Sequence, residues 1–161
     1  MTKTVRALTL ALVAAILIPT LTLAAWPVAN SRSYVSQRFS DGHRGMDLAA
    51  PGGSTVTPIT TGKVIFAGWR NNCGGYQVWI HHPHNGNLYT AYYHLASETT
   101  SVGATVSGSY SRIGTVGRTG CATGNHVHVE TWRGYPWRMG SVRVNPWVYV
   151  MNGPNLPPRY R

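Results

Sequence analysis

Two short stretches carry the residue types from which a metal-assisted hydrolysis could be built. His43-Arg44-Gly45-Met46-Asp47 supplies an imidazole and a carboxylate, and His126-Val127-His128 supplies two more imidazoles. Zinc favours such nitrogen and oxygen donors, and a catalytic zinc site uses three of them, keeps a position for water and has a proton carrier nearby. The two stretches offer three ligands with one histidine to spare. A structural zinc site would be closed by a fourth ligand, commonly a thiolate, yet Cys73 and Cys121 stand far apart and form no Cys-x-x-Cys pair. For His43 or Asp47 taken alone, a turn or capping role beside Gly42 and Gly45 is the competing reading.

The elements that must position these groups are strands. On a strand His126, His128 and Glu130 face one way, while Val127, Val129 and Thr131 face the other. Same-face positions lie roughly 7 Å apart, so both imidazoles can approach one site without both binding the metal. His43 and Asp47 have a helical spacing, but Gly42 and Gly45 argue against a helix. A loop leading into a short strand is expected instead, with His43 on the loop and Asp47 at the strand. Further strands are expected at Lys63 to Trp69, Gln77 to His82, Leu88 to His94, Arg112 to Val116 and Val127 to Trp132, all rich in Val, Ile, Thr and aromatics. Pro83 to Asn87 reads as a hairpin connection. No stretch after Trp26 keeps a helical apolar period for three turns, so the expected fold class is all-β, mainly antiparallel.

Residues 1–24 read as a signal peptide: Lys3 and Arg6 precede an apolar run from Ala7 to Leu23, and Ala24-Ala25 offers small residues for cleavage. A retained anchor is the alternative. Residues 25–151 then suit one domain, and 152–161 form a basic, proline-rich tail expected to pack little. Of the 14 Lys and Arg, 12 lie beyond residue 24 with all four acids, which leaves a formal charge of +8. Such an excess favours a polyanionic partner: an anionic cell wall, lipid head groups or nucleic acid. No tract interleaves basic and aromatic residues in a nucleic-acid motif. Two cysteines in an exported chain imply a Cys73–Cys121 disulfide joining two glycine-rich turns. His81, His82 and His84 read as an exposed turn, and Tyr76, Tyr92 and Tyr93 as either groove or core aromatics.

With these residues in view, the chain resembles the lysostaphin-like zinc endopeptidases of bacterial peptidoglycan from about Ser36 to Val150. The landmarks occur in family order: His43 to Pro51, Thr61-Gly62-Lys63-Val64, Gly68-Trp69, Gly74-Gly75-Tyr76-Gln77-Val78, Tyr92-Tyr93-His94-Leu95, Gly117-Arg118-Thr119-Gly120 and His126 to Glu130. The resemblance implies a single peptidase domain with long groove-forming loops and one zinc ion. It implies that His43, Asp47 and His128 bind the metal, while His94 and His126 stand beside it as catalytic histidines. Glu130 is expected to orient a ligand or to hold a neighbouring donor.

The resulting expectation is a secreted or periplasmic, monomeric zinc metalloendopeptidase. It would act on peptidoglycan cross-bridges or stem peptides, carry no specific affinity for nucleic acid, and span no membrane once the signal is cleaved. A non-catalytic wall-binding or hydrolase-activating module of the same fold is the alternative. The chain departs from the family at Asn125, where many members have proline, and at Cys73 and Cys121, which are not general family features.

Overall fold

Valine, isoleucine and aromatic residues at alternate positions pack on one side of a pleated strand and leave the other side to polar groups. The computed structural model describes residues 25–150 and 157–160; the expected signal segment and residues 151–156 and 161 lie outside them. The strands are β1 (Tyr34–Gln37), β2 (Met46–Ala49), β3 (Thr55–Val56), β4 (Gly62–Arg70), β5 (Gly75–His82), β6 (Leu88–Glu98), β7 (Thr105–Val106), β8 (Gly114–Val116), β9 (His126–Arg133) and β10 (Val142–Val144), followed by a helical turn, α1 (Trp147–Val150). They form one sheet in the order β1-β2-β9-β6-β5-β4-β7, with β10 paired to β9 and β8 joining β3 and β6. The pairings are antiparallel, so the all-β expectation holds. All five expected strands are present, and the Pro83 to Asn87 hairpin closes through a 3₁₀ turn with Gly86 and Asn87 at positive φ.

One face of the sheet carries the main core. Met46, Leu48, Val78, Ile80, Tyr92, Val127 and Val129 are buried there under Trp26, Val56, Ile59 and Ile113. The opposite face holds a smaller cluster of Trp79, Ala91 and Tyr93, flanked by Ile65 and Phe66. Asp47, His128 and Glu130 lie on this second face, because each alternates with a core residue on β2 or β9.

Two expectations change, for His82 and for the tail, and Tyr92, left open between groove and core, is decided. His82 is not part of an exposed turn: it is fully buried, with Nδ1 2.9 Å from the Thr61 carbonyl and Nε2 2.8 Å from Thr90 Oγ1. The alternation of β5 continues to its last residue, so only His84 reaches the exposed turn. Tyr92 belongs to the core, its hydroxyl accepting the Ile59 N–H at 2.8 Å. Within the tail, Tyr160 packs against Trp26 and Trp147, and its hydroxyl accepts the Val35 N–H at 2.9 Å.

Burial lowers the His82 pKa from 6.5 to about 4. Below pH 6.5 the unfolded chain therefore binds a proton that the folded chain refuses. Stability present above pH 6.5 is lost as pH falls toward 4. From this residue alone, unfolding free energy should drop by about 2 kcal/mol between pH 7 and pH 5. Denaturant titrations of the wild type and His82→Gln at both pH values check this; an equal pH dependence in the two would remove the assignment.

Candidate metal centre

The register of two strands brings the first motif to the second. Asp47 on β2 sits directly opposite His128 on β9, and Tyr93 on β6 flanks His128 from the other side. Directly opposed residues on one face have side chains within touching distance, and here His128 Nδ1 lies 2.7 Å from Asp47 Oδ1. His43 comes from the β1–β2 connection, which is pinched by reciprocal main-chain hydrogen bonds between Ser40 and His43. That turn sets His43 Nε2 3.1 Å from the same Asp47 oxygen. Gly45, between them, has no alternative: a Cβ there would overlap the His128 ring and press on the Val129 carbonyl.

Ligand-type atoms of His43, Asp47 and His128 all fall within 4.8 Å of one another, a group that could hold a metal ion. Hydrogen bonding on the far side of each imidazole sets its proton. His43 Nδ1 donates to the Arg38 carbonyl at 3.0 Å, so its Nε2 lone pair faces a carboxylate oxygen, an arrangement that calls for a cation between them. On the other side of His128, Nε2 stands 3.6 Å from Glu130 Oε1, so that a metal displacing the Nδ1 proton would leave the remaining proton facing this carboxylate. Two imidazole nitrogens and a carboxylate oxygen disposed in this way fit a zinc ion.

The two remaining histidines stand alongside. His126 keeps Nδ1 on the Gly124 carbonyl at 2.9 Å and places Nε2 3.9 Å from Asp47 Oδ2. His94 donates Nδ1–H to the Thr119 carbonyl at 2.9 Å, and its ring centroid is 4.8 Å from that of His126. A β-bulge explains its position: between Tyr92 and Leu95, both in the core, β6 has one residue more than β5 has across from it. His94 takes up this extra residue at φ +63° and so joins Tyr93 on the site's side.

Charges in the site oppose the cost of burial. Burial raises the Asp47 pKa, but the hydrogen bond from His128 and nearby imidazoles outweigh it, and the net shift is downward. Burial lowers that of His128, yet Asp47 and Glu130 push it up to about 9. His94, lacking so close a carboxylate, is held below its ordinary value mainly by burial. Glu130 is 5% exposed, accepts from Tyr93 Oη and Trp132 Nε1, each at 2.8 Å, and forms an ion pair with Arg143, whose Nε is 3.0 Å away. Of the two roles expected of Glu130, the structure shows the holding of neighbouring donors.

A groove runs through the site. A cleft of about 360 Å³ includes the three ligand-type residues, His94 and His126. A second hollow of about 440 Å³ continues past Asp47 and His126 toward Tyr34 and Asn125. Cys73 and Cys121 are bridged, joining the two loops on one side of the cleft. Gly120 is needed there, at φ +70°, because a Cβ would strike the Cys73 carbonyl. Thr119 locks the same loops: its hydroxyl accepts from Tyr76 N at 3.1 Å and donates to Leu95 O at 2.6 Å. Of the three tyrosines considered for the groove, only Tyr93 lines the cleft. Trp137 also lines it, and only its place as an aromatic within a turn marked it in the sequence.

Residues 41–146 match Peptidase family M23. The chain belongs to this metallopeptidase family. It is 33% identical over 114 residues to the DD-carboxypeptidase/endopeptidase Mpg of Neisseria meningitidis, covering 71% of this chain and 24% of that protein. It is 34% identical over 89 residues to lysostaphin of Staphylococcus simulans, covering 55% of this chain and 17% of that protein. The chain thus spans a quarter or less of these relatives. Among solved structures, the catalytic domain of the antimicrobial peptidase lysostaphin from Staphylococcus simulans matches with a TM-score of 0.60 at 26% identity, over 72% of this chain and 88% of that one. A zinc-containing peptidase from Vibrio cholerae matches with a TM-score of 0.60 at 29% identity, over 68% and 36% of the two chains.

Proposed function

We propose that this chain is a zinc endopeptidase, secreted or periplasmic, that hydrolyses peptide bonds in peptidoglycan cross-bridges or stem peptides. In this reading residues 1–24 are a removable signal peptide, 25–151 the catalytic domain and 152–161 a basic tail. The observation that carries it is the convergence of His43, Asp47 and His128 within 4.8 Å, in a groove that also holds two histidines outside the ligand set. A binding module would have no need of those two. The substrate class is supported by relatives named for it, including a peptidoglycan DD-endopeptidase of Vibrio cholerae that is 38% identical over 89 residues.

When bound, zinc would supply Lewis acidity toward water and the peptide carbonyl. His43, Asp47 and His128 would hold it, with Glu130 steadying the His128 ring. His94 and His126 each rest Nδ1–H on a main-chain carbonyl, which leaves Nε2 to exchange protons with the reactants. One of the pair takes a proton from the attacking water and passes it to the departing amine. The other, protonated, stabilises negative charge growing on the carbonyl oxygen. Purified protein should release new amino groups from isolated peptidoglycan, a chelator should stop the release, and added zinc should restore it. No release at any pH would favour a non-catalytic wall-binding module.

A further inference from the structure

The connection between β9 and β10 turns an unusual amount of apolar surface outward. Among the described residues nine large hydrophobic side chains are exposed, and four of them cluster here, Tyr135, Trp137 and Met139 in the connection and Val142 at the start of β10. Trp137 differs from the other three because its ring lines the metal cleft while 54% exposed.

That ring is held from behind. The Arg143 guanidinium lies 4.1 Å from the centroid of the Trp137 ring and 4.3 Å from that of Trp132, and the two indoles are 5.1 Å apart. Arg143 is itself fixed by the buried Glu130 at 3.0 Å. The turn carrying Trp137 is closed by Arg138 N–H to Tyr135 O at 3.2 Å and Ser141 N–H to Arg138 O at 3.1 Å. An indole so braced offers a ready-made apolar wall, and a partner that packs on it need not first order it. Two exposed arginines adjoin the lining: Arg138 follows Trp137 in the chain, and Arg118 Nε lies 3.5 Å from the carbonyl of Ala122, a lining residue. Asp47 and Glu130 are occupied inside the site.

We propose that Trp137 is a specificity-determining residue of the groove, selecting a peptide that carries side chains and carboxylates next to the scissile bond over a bridge made only of glycine. This inference rests on the endopeptidase reading and names the substrate within it. A glycine bridge has no carbon side chain to cover the indole and no side-chain carboxylate for the exposed Arg138 or Arg118 to meet, so it gains from neither. A stem peptide gains from both.

The test compares zinc-loaded wild type, Trp137→Ala and Trp137→Phe on two purified muropeptide dimers, one directly cross-linked and one joined by a glycine bridge. The quantity read is the ratio of kcat/KM for the direct cross-link to that for the glycine bridge. Wild type should favour the direct cross-link. Trp137→Ala should lower the ratio about tenfold, mainly through KM, and Trp137→Phe should keep most of it. Equal zinc content and melting temperature establish that the variants are intact; should Trp137→Ala fail there, Trp137→Phe and Trp137→Leu carry the comparison. An unchanged ratio overturns the proposal. Calorimetric binding of both dimers is measured in parallel. If wild type cleaves neither dimer, the endopeptidase reading fails, while a Trp137-dependent binding preference still upholds this inference and its absence overturns it.

Discussion

His128→Ala is expected to yield a protein without stoichiometric zinc and without hydrolytic activity, whereas His126→Ala and His94→Ala should retain zinc and hydrolyse about a hundred- to ten-thousandfold more slowly. The division follows from where each ring is anchored. His128 is the cross-strand partner of Asp47, 2.7 Å away, with Glu130 on its other side. Removing it takes away one of the three proposed ligands and leaves two carboxylates facing a hole. His126 and His94 are tied through Nδ1 to main-chain carbonyls, and neither belongs to the group of three converging ligand atoms. Elemental analysis of the purified variants gives the zinc content, and amino-group release gives the rate. Zinc loss in all three variants would show that the roles are wrongly divided.

Breaking the Cys73–Cys121 bridge should cost both stability and substrate affinity. The bridge closes a span of 48 residues, for which loop-closure entropy in the unfolded chain corresponds to about 4 kcal/mol. In a domain of this size that is a fall in Tm of roughly 15 °C. The bridged loops also form one side of the cleft, and Thr119, next to the bridge, holds the His94 ring through its carbonyl. Cys73→Ser with Cys121→Ser should therefore raise KM and lower kcat while zinc content stays at that of the wild type. Scanning calorimetry and steady-state kinetics on the double variant check both effects. Values equal to wild type in both would mean that the bridge neither supports the fold nor sets the groove.

The two motifs, the alternation of β9 and the exclusion of a helix around Gly45 were all legible in residue order. They depend on local chemistry: a strand's period of two, the glycines near His43, the donors that zinc accepts. The strand end at His82 was legible but the burial of its ring was not, because whether the last side chain of β5 is covered depends on Thr61 and Thr90, which neighbouring segments bring over it. Nor could Tyr92 be told from Tyr93, since alternation puts neighbours on opposite faces without saying which face is the core.

The sequence by itself determined which donor-type residues the chain offers, the all-β class and the face that His126, His128 and Glu130 share, for these follow from side-chain types and from the pleat. Only the tertiary structure decided that Asp47 meets His128, because register is a relation between strands 81 residues apart. It also decided that His94 stands beside the site: regular alternation would turn His94 into the core with Tyr92, and a single extra residue in β6, at φ +63°, turns it out. Trp137 belongs with these. Its place on the cleft wall comes from Arg143 on the next strand and Glu130 beneath it, contacts between elements that no local pattern contains.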